Sequence, residues 1–271
     1  MNELVLIPIF LGVGFSAGIL IGMLGVGGGV IFVPALYILL PYTGVEHNYI
    51  PYIAISISLF SGAIASSFSG VFHILLKKVD KRRAVLFGIG SGAAAFLSAI
   101  FVTGVNPEIL RVIFALVIIT IAIKLFFDSF LNKEAAGQKK INDIFLPVIG
   151  CSVGILSTFT GLGGGIIFFP VLYYLYSIDT KKAVGTSSVI TAITMILGSI
   201  SFYLINSRWT GGFHLNNIYF AVALPLGIGA IAGAKVGVNF VQKSSTSVTL
   251  IKKIFSILLI IVVVKIIFNL W

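Results

Sequence analysis

One short phrase is written twice in this chain, once in each half of a very apolar sequence. Gly14, Gly18, Gly25, Gly27, Gly28, Gly29 and Pro34 recur 136 positions later as Gly150, Gly154, Gly161, Gly163, Gly164, Gly165 and Pro170. Around them GMLGVGGGVIFVPALY (Gly22 to Tyr37) reads against TFTGLGGGIIFFPVLY (Thr158 to Tyr173). Glycine clusters inside apolar segments break helices, and breaks at matching places in a duplicated membrane protein point to a transport site between the halves.

The membrane setting follows from composition. The 271 residues are 58% hydrophobic and 10% charged, against about 25% charged in a soluble domain. The chain therefore reads as an all-α integral membrane protein in contact with the lipid bilayer. Met1-Asn2-Glu3 offers no basic leader region and no small-residue cleavage signature follows, so no cleaved signal peptide is expected. The net charge of +10 is a topology signal rather than a nucleic-acid surface, because most Lys and Arg lie in loops. Cys151, the single cysteine, cannot make an internal disulfide or a multi-cysteine metal site.

Ten apolar segments can be drawn, five in each half: Leu4–Leu24, Val30–Leu40, Ile50–Leu76, Ala84–Val102, Ile109–Phe130, Ile144–Phe159, Ile166–Tyr176, Ala183–Ile205, Ile218–Val241 and Leu250–Leu270. The polar stretch Asn132–Asp143 joins residues 1–131 to residues 144–271 as two pseudo-repeats of one transmembrane domain. The duplication extends beyond the glycines. Arg111 and Lys124 match Lys252 and Lys265 at an offset of 141, as Gly88 and Gly92 match Gly229 and Gly233.

Loop charge predicts the orientation. With the basic loop Lys77–Arg83 in the cytoplasm, the linker and the loops with Lys181, Lys182, Lys243, Lys252 and Lys253 also fall inside. Pro41–Pro51, Thr103–Glu108 and Asn206–Asn217 fall outside, with Arg208 their one Lys or Arg. Corresponding loops take opposite sides, which predicts inverted-topology repeats with both termini outside the cytoplasm. Val30–Leu40 and Ile166–Tyr176 are eleven residues each, about 17 Å of helix, too short for a hydrocarbon core of about 30 Å. Each is a half-helix beginning at its glycine break. Whether the preceding segment crosses fully or forms a re-entrant hairpin with it stays open, since both leave the loops on the same sides.

At mid-membrane depth the start of a half-helix presents amides without intrahelical partners and the positive end of the dipole. Three consecutive glycines let an anion approach those amides closely. Gly25, Gly27, Gly28 and Gly29, with Gly161, Gly163, Gly164 and Gly165, are therefore the candidate binding residues, and Pro34 and Pro170 shape the helices beyond them. Small residues also let helices pack tightly, which accounts for Gly88/Gly92 and Gly229/Gly233. The phrase lacks the third glycine of a dinucleotide fingerprint and the Lys-Ser/Thr pair of a phosphate loop. A second cluster sets Ser56, in AISIS, against Thr186, Ser187 and Ser188, in GTSS. Their hydroxyls suit either an anion's oxygens or backbone carbonyls of neighbouring helices.

The eight acids all fall in loops or at segment ends. Cation transporters usually keep an acid near the membrane centre, so a cation substrate is disfavoured. Arg111, Lys124, Lys235 and Lys265 lie near segment ends, within snorkelling reach of the interface. His47 and His214 lie in outer loops and His73 ends the third segment, so the three histidines form no metal site, and no nucleophilic arrangement of an enzyme is visible. No cofactor is expected.

GVGGGVIFVPAL (Gly25 to Leu36), GLGGGIIFFPVL (Gly161 to Leu172), KKAVGTSS (Lys181 to Ser188) and PLGIGAIAGAKVG (Pro225 to Gly237) resemble the TauE/SafE, or TSUP, family of sulfite exporters over essentially the full length. The resemblance implies a bacterial cytoplasmic-membrane transporter of sulfur-containing organic or inorganic anions, with substrate and direction left open. Taken with the residues, it leads to a secondary transporter of a small sulfur anion working by alternating access. The alternatives are a passive anion channel on the same scaffold and a non-transporting membrane scaffold protein. A homo-oligomer stays open, because lipid-facing and partner-facing apolar surfaces look alike in sequence.

Overall fold

The computed structural model describes residues 3–130, 142–205, 214–215 and 218–243. These form nine α-helices: α1 (Glu3–Leu24), α2 (Gly29–Leu39), α3 (Ile50–Leu75), α4 (Lys81–Val102), α5 (Pro107–Phe130), α6 (Leu146–Thr160), α7 (Gly165–Pro170), α8 (Thr180–Leu204) and α9 (Phe220–Lys243). Six helices among the described residues are long and apolar enough to cross a membrane. The expected tenth segment, Leu250–Leu270, lies outside the described residues, as do Arg208, Lys252, Lys253 and Lys265. A short hairpin, with His214 opposite Tyr219 and Leu215 opposite Ile218, takes its first strand from the stretch read from sequence as loop and its second from the start of the segment Ile218–Val241.

The glycine spacing dictates how the helices meet. Gly14, Gly18 and Gly22 repeat every four residues and line one face of α1. A Cβ added at each would overlap the carbonyl oxygens of Leu226, Ala230 and Ala234 on α9. Both sequences advance together, so α1 and α9 run parallel with their backbones in direct contact. Gly229, Gly233 and Gly237 return the arrangement against the carbonyls of Leu11, Phe15 and Ile19. In the same way α6 lies parallel to α4, where Gly154 meets the Ser91 carbonyl, Gly90 meets the Pro147 carbonyl and a Cβ on Gly150 would be 2.6 Å from the Phe87 oxygen. Close approach through small residues substitutes for the hydrophobic drive that lipid cannot supply.

These contacts revise one sequence pairing. Gly90, rather than Gly88, takes the place against α6 that Gly229 takes against α1, an offset of 139 instead of 141. Gly88 and Gly92 instead face Ile193 and Leu197 of α8.

The centre of the bundle is an antiparallel pair, α3 and α8. Ser69 lies against Ser188, and further along a Cβ on Gly198 would touch Leu59. At the end carrying Lys77–Arg83, called the basic end below, Asp80 caps α4 by accepting from the Arg83 amide at 3.2 Å, and Asp179 caps α8 by accepting from the Lys181 amide at 3.2 Å. The Arg83 guanidinium joins Asp80 (3.3 Å) and Asp143 (3.0 Å) and lies 5.1 Å from the Tyr176 ring.

Candidate functional site

The two glycine clusters do break the helices, in the same conformation. Gly25, Gly27 and Gly28 take φ of 67°, 80° and 70°; Gly161, Gly163 and Gly164 take 71°, 79° and 74°. Left-handed φ at three positions out of four is open to glycine and costly for other residues, which is why the phrase is spelled alike in both places. α1 ends at the first break and α2 starts from it in the reverse direction. Gly22 lies beside α3 near His73, at the basic end, while Tyr37 near the end of α2 lies against Phe114 and Arg111 at the other end.

Both half-helices are longer than their first regular stretch. α2 runs on as a 3-10 turn to Thr43, and α7 changes at Pro170 into a π-helical turn, Val171–Leu175. Pro34 leaves α2 α-helical. An arginine of a neighbouring helix, on α5 for one and α4 for the other, stands at the far end of each half-helix. Arg111 pairs with Glu108 at 2.8 Å and lies 5.9 Å from the Tyr37 ring, and Arg83 lies over Tyr176. Cations there complement the negative ends of both dipoles, so the positive ends are the ones turned to the breaks.

The breaks touch each other backbone to backbone, running antiparallel. A Cβ on Gly29 would overlap the Gly161 oxygen and sit 2.6 Å from Leu162 Cα; a Cβ on Gly165 would overlap the Gly25 oxygen and sit 2.6 Å from Val26 Cα. Between them a Cβ on Gly27 would be 2.9 Å from the Leu162 oxygen. The Gly29 amide donates to the Gly27 carbonyl at 2.9 Å, so one of the expected anion-binding amides is used in the turn. An anion between the breaks requires them to part. The cavity beside Gly164, lined by Ser157, Thr160 and Leu162 among others, is about 10 Å³, room for about one water.

Hydroxyls from α3 and α8 hold the carbonyls that the breaks release. Ser58 donates to Gly161 O at 2.7 Å. Ser187 donates to Gly25 O at 3.0 Å and Gly165 O at 3.3 Å, and Thr191 reaches Gly25 O at 3.3 Å. Ser188 donates to Val184 O at 3.0 Å, with its hydroxyl 2.9 Å from where a Gly25 Cβ would stand. Thus Ser187 and Ser188 lie at the first break with the glycines. Two sequence candidates lie elsewhere. Ser56 donates to Ile53 O of its own helix at 2.9 Å. Thr186 sits at the basic end, accepting from the Asp80 amide at 2.9 Å and donating to Lys182 O at 2.6 Å.

Ser58 and Thr191 stand at the breaks beside the candidate site residues read from the sequence. Ser58 serves Gly161 as Ser187 serves Gly25, an offset of 129 between α3 and α8. The two breaks are not lined identically. Met195, fully buried, lies against the second break, where a Cβ on Gly163 would be 2.6 Å from its Cε, whereas Thr191 Cγ2 stands 2.9 Å from the Cβ position of Gly27.

A sequence model of the family described as sulfite exporter TauE/SafE matches residues 10–266. The chain belongs to the TauE/SafE family. The match takes in both glycine breaks and the α3–α8 pair that holds them. Among TauE/SafE relatives, a probable membrane transporter protein of Methanocaldococcus jannaschii is 31% identical over 247 residues, covering 89% of each chain. The probable membrane transporter protein YunE of Bacillus subtilis is 29% identical, covering 91% of this chain and 93% of its own, and one from Haemophilus influenzae is 27% identical over 93% and 95%. These relatives are named as transporters rather than enzymes, and the chain is accordingly a multi-pass membrane transporter of the TauE/SafE family. No solved structure matches it.

Proposed function

We propose that this protein is a secondary transporter of small sulfur-containing anions, such as sulfite, thiosulfate, sulfonates and related organosulfur anions, working by alternating access. One observation carries the reading. Two helix breaks with matching left-handed glycines meet between α3 and α8, and the half-helices that start from them have arginines of α5 and α4 at their opposite ends. The positive ends of two dipoles are thereby brought to one place, and the acidic side chains that could oppose an anion fall in loops or at segment ends.

In this reading residues 1–131 and 144–271 are inverted repeats, the basic end faces the cytoplasm and both termini lie outside. The parallel pairings α1 with α9 and α6 with α4 support it, because each exchanges a helix between the halves in the same register. The backbone contact at the breaks is then a closed conformation. Parting one half from the other opens the amides of Gly27, Gly28, Gly163 and Gly164, and the hydroxyls of Ser58, Ser187 and Ser188, to an anion from one side at a time. The same closed contact favours a carrier over a standing pore.

Reconstituted protein is expected to take up labelled sulfite, thiosulfate or methanesulfonate at least tenfold faster than empty vesicles, and to leave sodium and choline uptake at background. Uptake of none of the three anions would overturn the sulfur-anion reading and favour a scaffold role.

A further inference from the structure

His73, the histidine within a helical span, is fully buried, and among the described residues neither ring nitrogen has a hydrogen-bond partner. It lies in the last turn of α3 where three elements meet. A Cβ on Gly185 of α8 would be 2.9 Å from His73 Cβ and 3.1 Å from Cγ, so that glycine seats the ring. The Gly22 backbone, at the end of α1, stands beside the ring without forming a hydrogen bond to it. Below the ring the His73 carbonyl accepts from the Lys78 amide at 2.9 Å. Stability alone would favour leucine at such a place, since buried nitrogens without partners are unfavourable.

The surroundings give the imidazole a direction. One turn further into the bundle on α3 is Ser69, whose hydroxyl is 3.2 Å from that of Ser188. The next residue, Ser187, holds the Gly25 carbonyl of the first break. Polar side chains thus lead from His73 to the first break, at the basic end of the site. The amides and hydroxyls of that break carry only partial charges, and His73 is the ionisable side chain that can add a full one there. Titratable groups on the elements around it are Lys77, Lys78 and Asp80 after α3, Asp179, Lys181 and Lys182 at the start of α8, and Lys235 on α9 beyond α1. Both carboxylates are occupied as helix caps.

We propose that His73, with Ser69 and Ser188, forms a second anion subsite on the basic side of the first break, in which the imidazole takes up a proton as the anion arrives. The inference rests on the anion-transport reading. When the α1–α3–α8 junction opens, a ring nitrogen accepts a proton from water. The imidazolium and the anion then neutralise one another while the two hydroxyls donate to the anion, and the proton returns to water when the anion leaves.

Thiosulfate is a suitable probe, because its own charge does not change between pH 6 and pH 8. In detergent, wild-type protein is expected to bind it at least fivefold more weakly at pH 8 than at pH 6, and His73→Gln to bind it within twofold at both. Calorimetry in buffers of different ionisation enthalpy is expected to show proton uptake on binding by the wild type and none by His73→Gln. A variant that keeps the wild-type pH dependence, or a wild type without any, overturns the subsite. Absence of thiosulfate binding by the wild type at every pH counts against the anion reading itself. The proton site is then decided by hydrogen exchange at the imidazole C2 carbon, read by mass spectrometry: exchange of His73 that titrates between pH 5 and pH 8 supports it, and a ring that does not exchange overturns it.

Discussion

Gly29→Ala and Gly165→Ala are expected to lose most of their folded, monodisperse protein, although each adds a single methyl group. Neither glycine has positive φ, so alanine's backbone preferences are not the obstacle. The methyl would overlap the Gly161 or the Gly25 carbonyl oxygen and crowd a second backbone atom 2.6 Å away. Backbone on both sides cannot swing aside as a side-chain tip can, and overpacking of this kind costs about 3 kcal/mol. Gly12→Ala is the control. Nothing stands within 4 Å of its added Cβ, and alanine in a helix interior is worth up to about 1 kcal/mol over glycine, so its stability should equal or exceed wild type. Unfolding midpoints in detergent and size-exclusion profiles decide the matter. If Gly165→Ala behaves like Gly12→Ala, the two breaks are not in contact.

Gly28→Leu and Gly164→Leu are expected to act chiefly on transport. These residues take φ of 70° and 74°, and a non-glycine residue in that region costs about 1–2 kcal/mol. The nearest atoms are side-chain carbons that can shift: Ile21 Cδ1 at 2.7 Å and Phe32 Cε2 at 2.9 Å for one, Phe168 Cε2 at 2.7 Å for the other. A leucine there forces those carbons aside and shifts the turn whose amides are assigned to the anion. Losing two charge-assisted hydrogen bonds at about 1.5 kcal/mol each removes about 3 kcal/mol, roughly 100-fold in affinity. Gly28→Ala meets the same conformational cost with far less bulk, so it should lose stability like Gly28→Leu while retaining more uptake. Wild-type uptake by both leucine variants would remove the glycines from the site.

The breaks themselves were legible in the sequence, because left-handed φ in a helical setting has so few residues that satisfy it. Their partners were less so. Ser56 and Ser58 are two residues apart on α3, about 200° around the helix, and the same residue type therefore does two jobs: one hydroxyl returns to Ile53 O and the other reaches across to Gly161 O. Which of the two faces the break depends on the rotation of α3 against α6, a quantity that no local pattern carries. The offset between α4 and α9 failed for a related reason. Gly88, Gly90 and Gly92 alternate around α4, and only packing tells that Gly90 meets α6 while the other two meet α8. The π-helical turn after Pro170 had no sequence counterpart either, since Pro34 at the equivalent place leaves its helix regular. His73 was visible only as a histidine at a segment end, and its burial comes from Gly185 more than 100 positions away.

Alternating access at the paired breaks is tested most directly by counterflow. Vesicles holding the reconstituted protein are preloaded with unlabelled thiosulfate and diluted into a trace of the labelled anion. A carrier whose site faces one side at a time is expected to accumulate label transiently, above its equilibrium level and several-fold above vesicles loaded with buffer alone, with the overshoot lost in Gly164→Leu. Label that rises monotonically to equilibrium at a rate indifferent to the preload would describe an open pore and contradict alternating access.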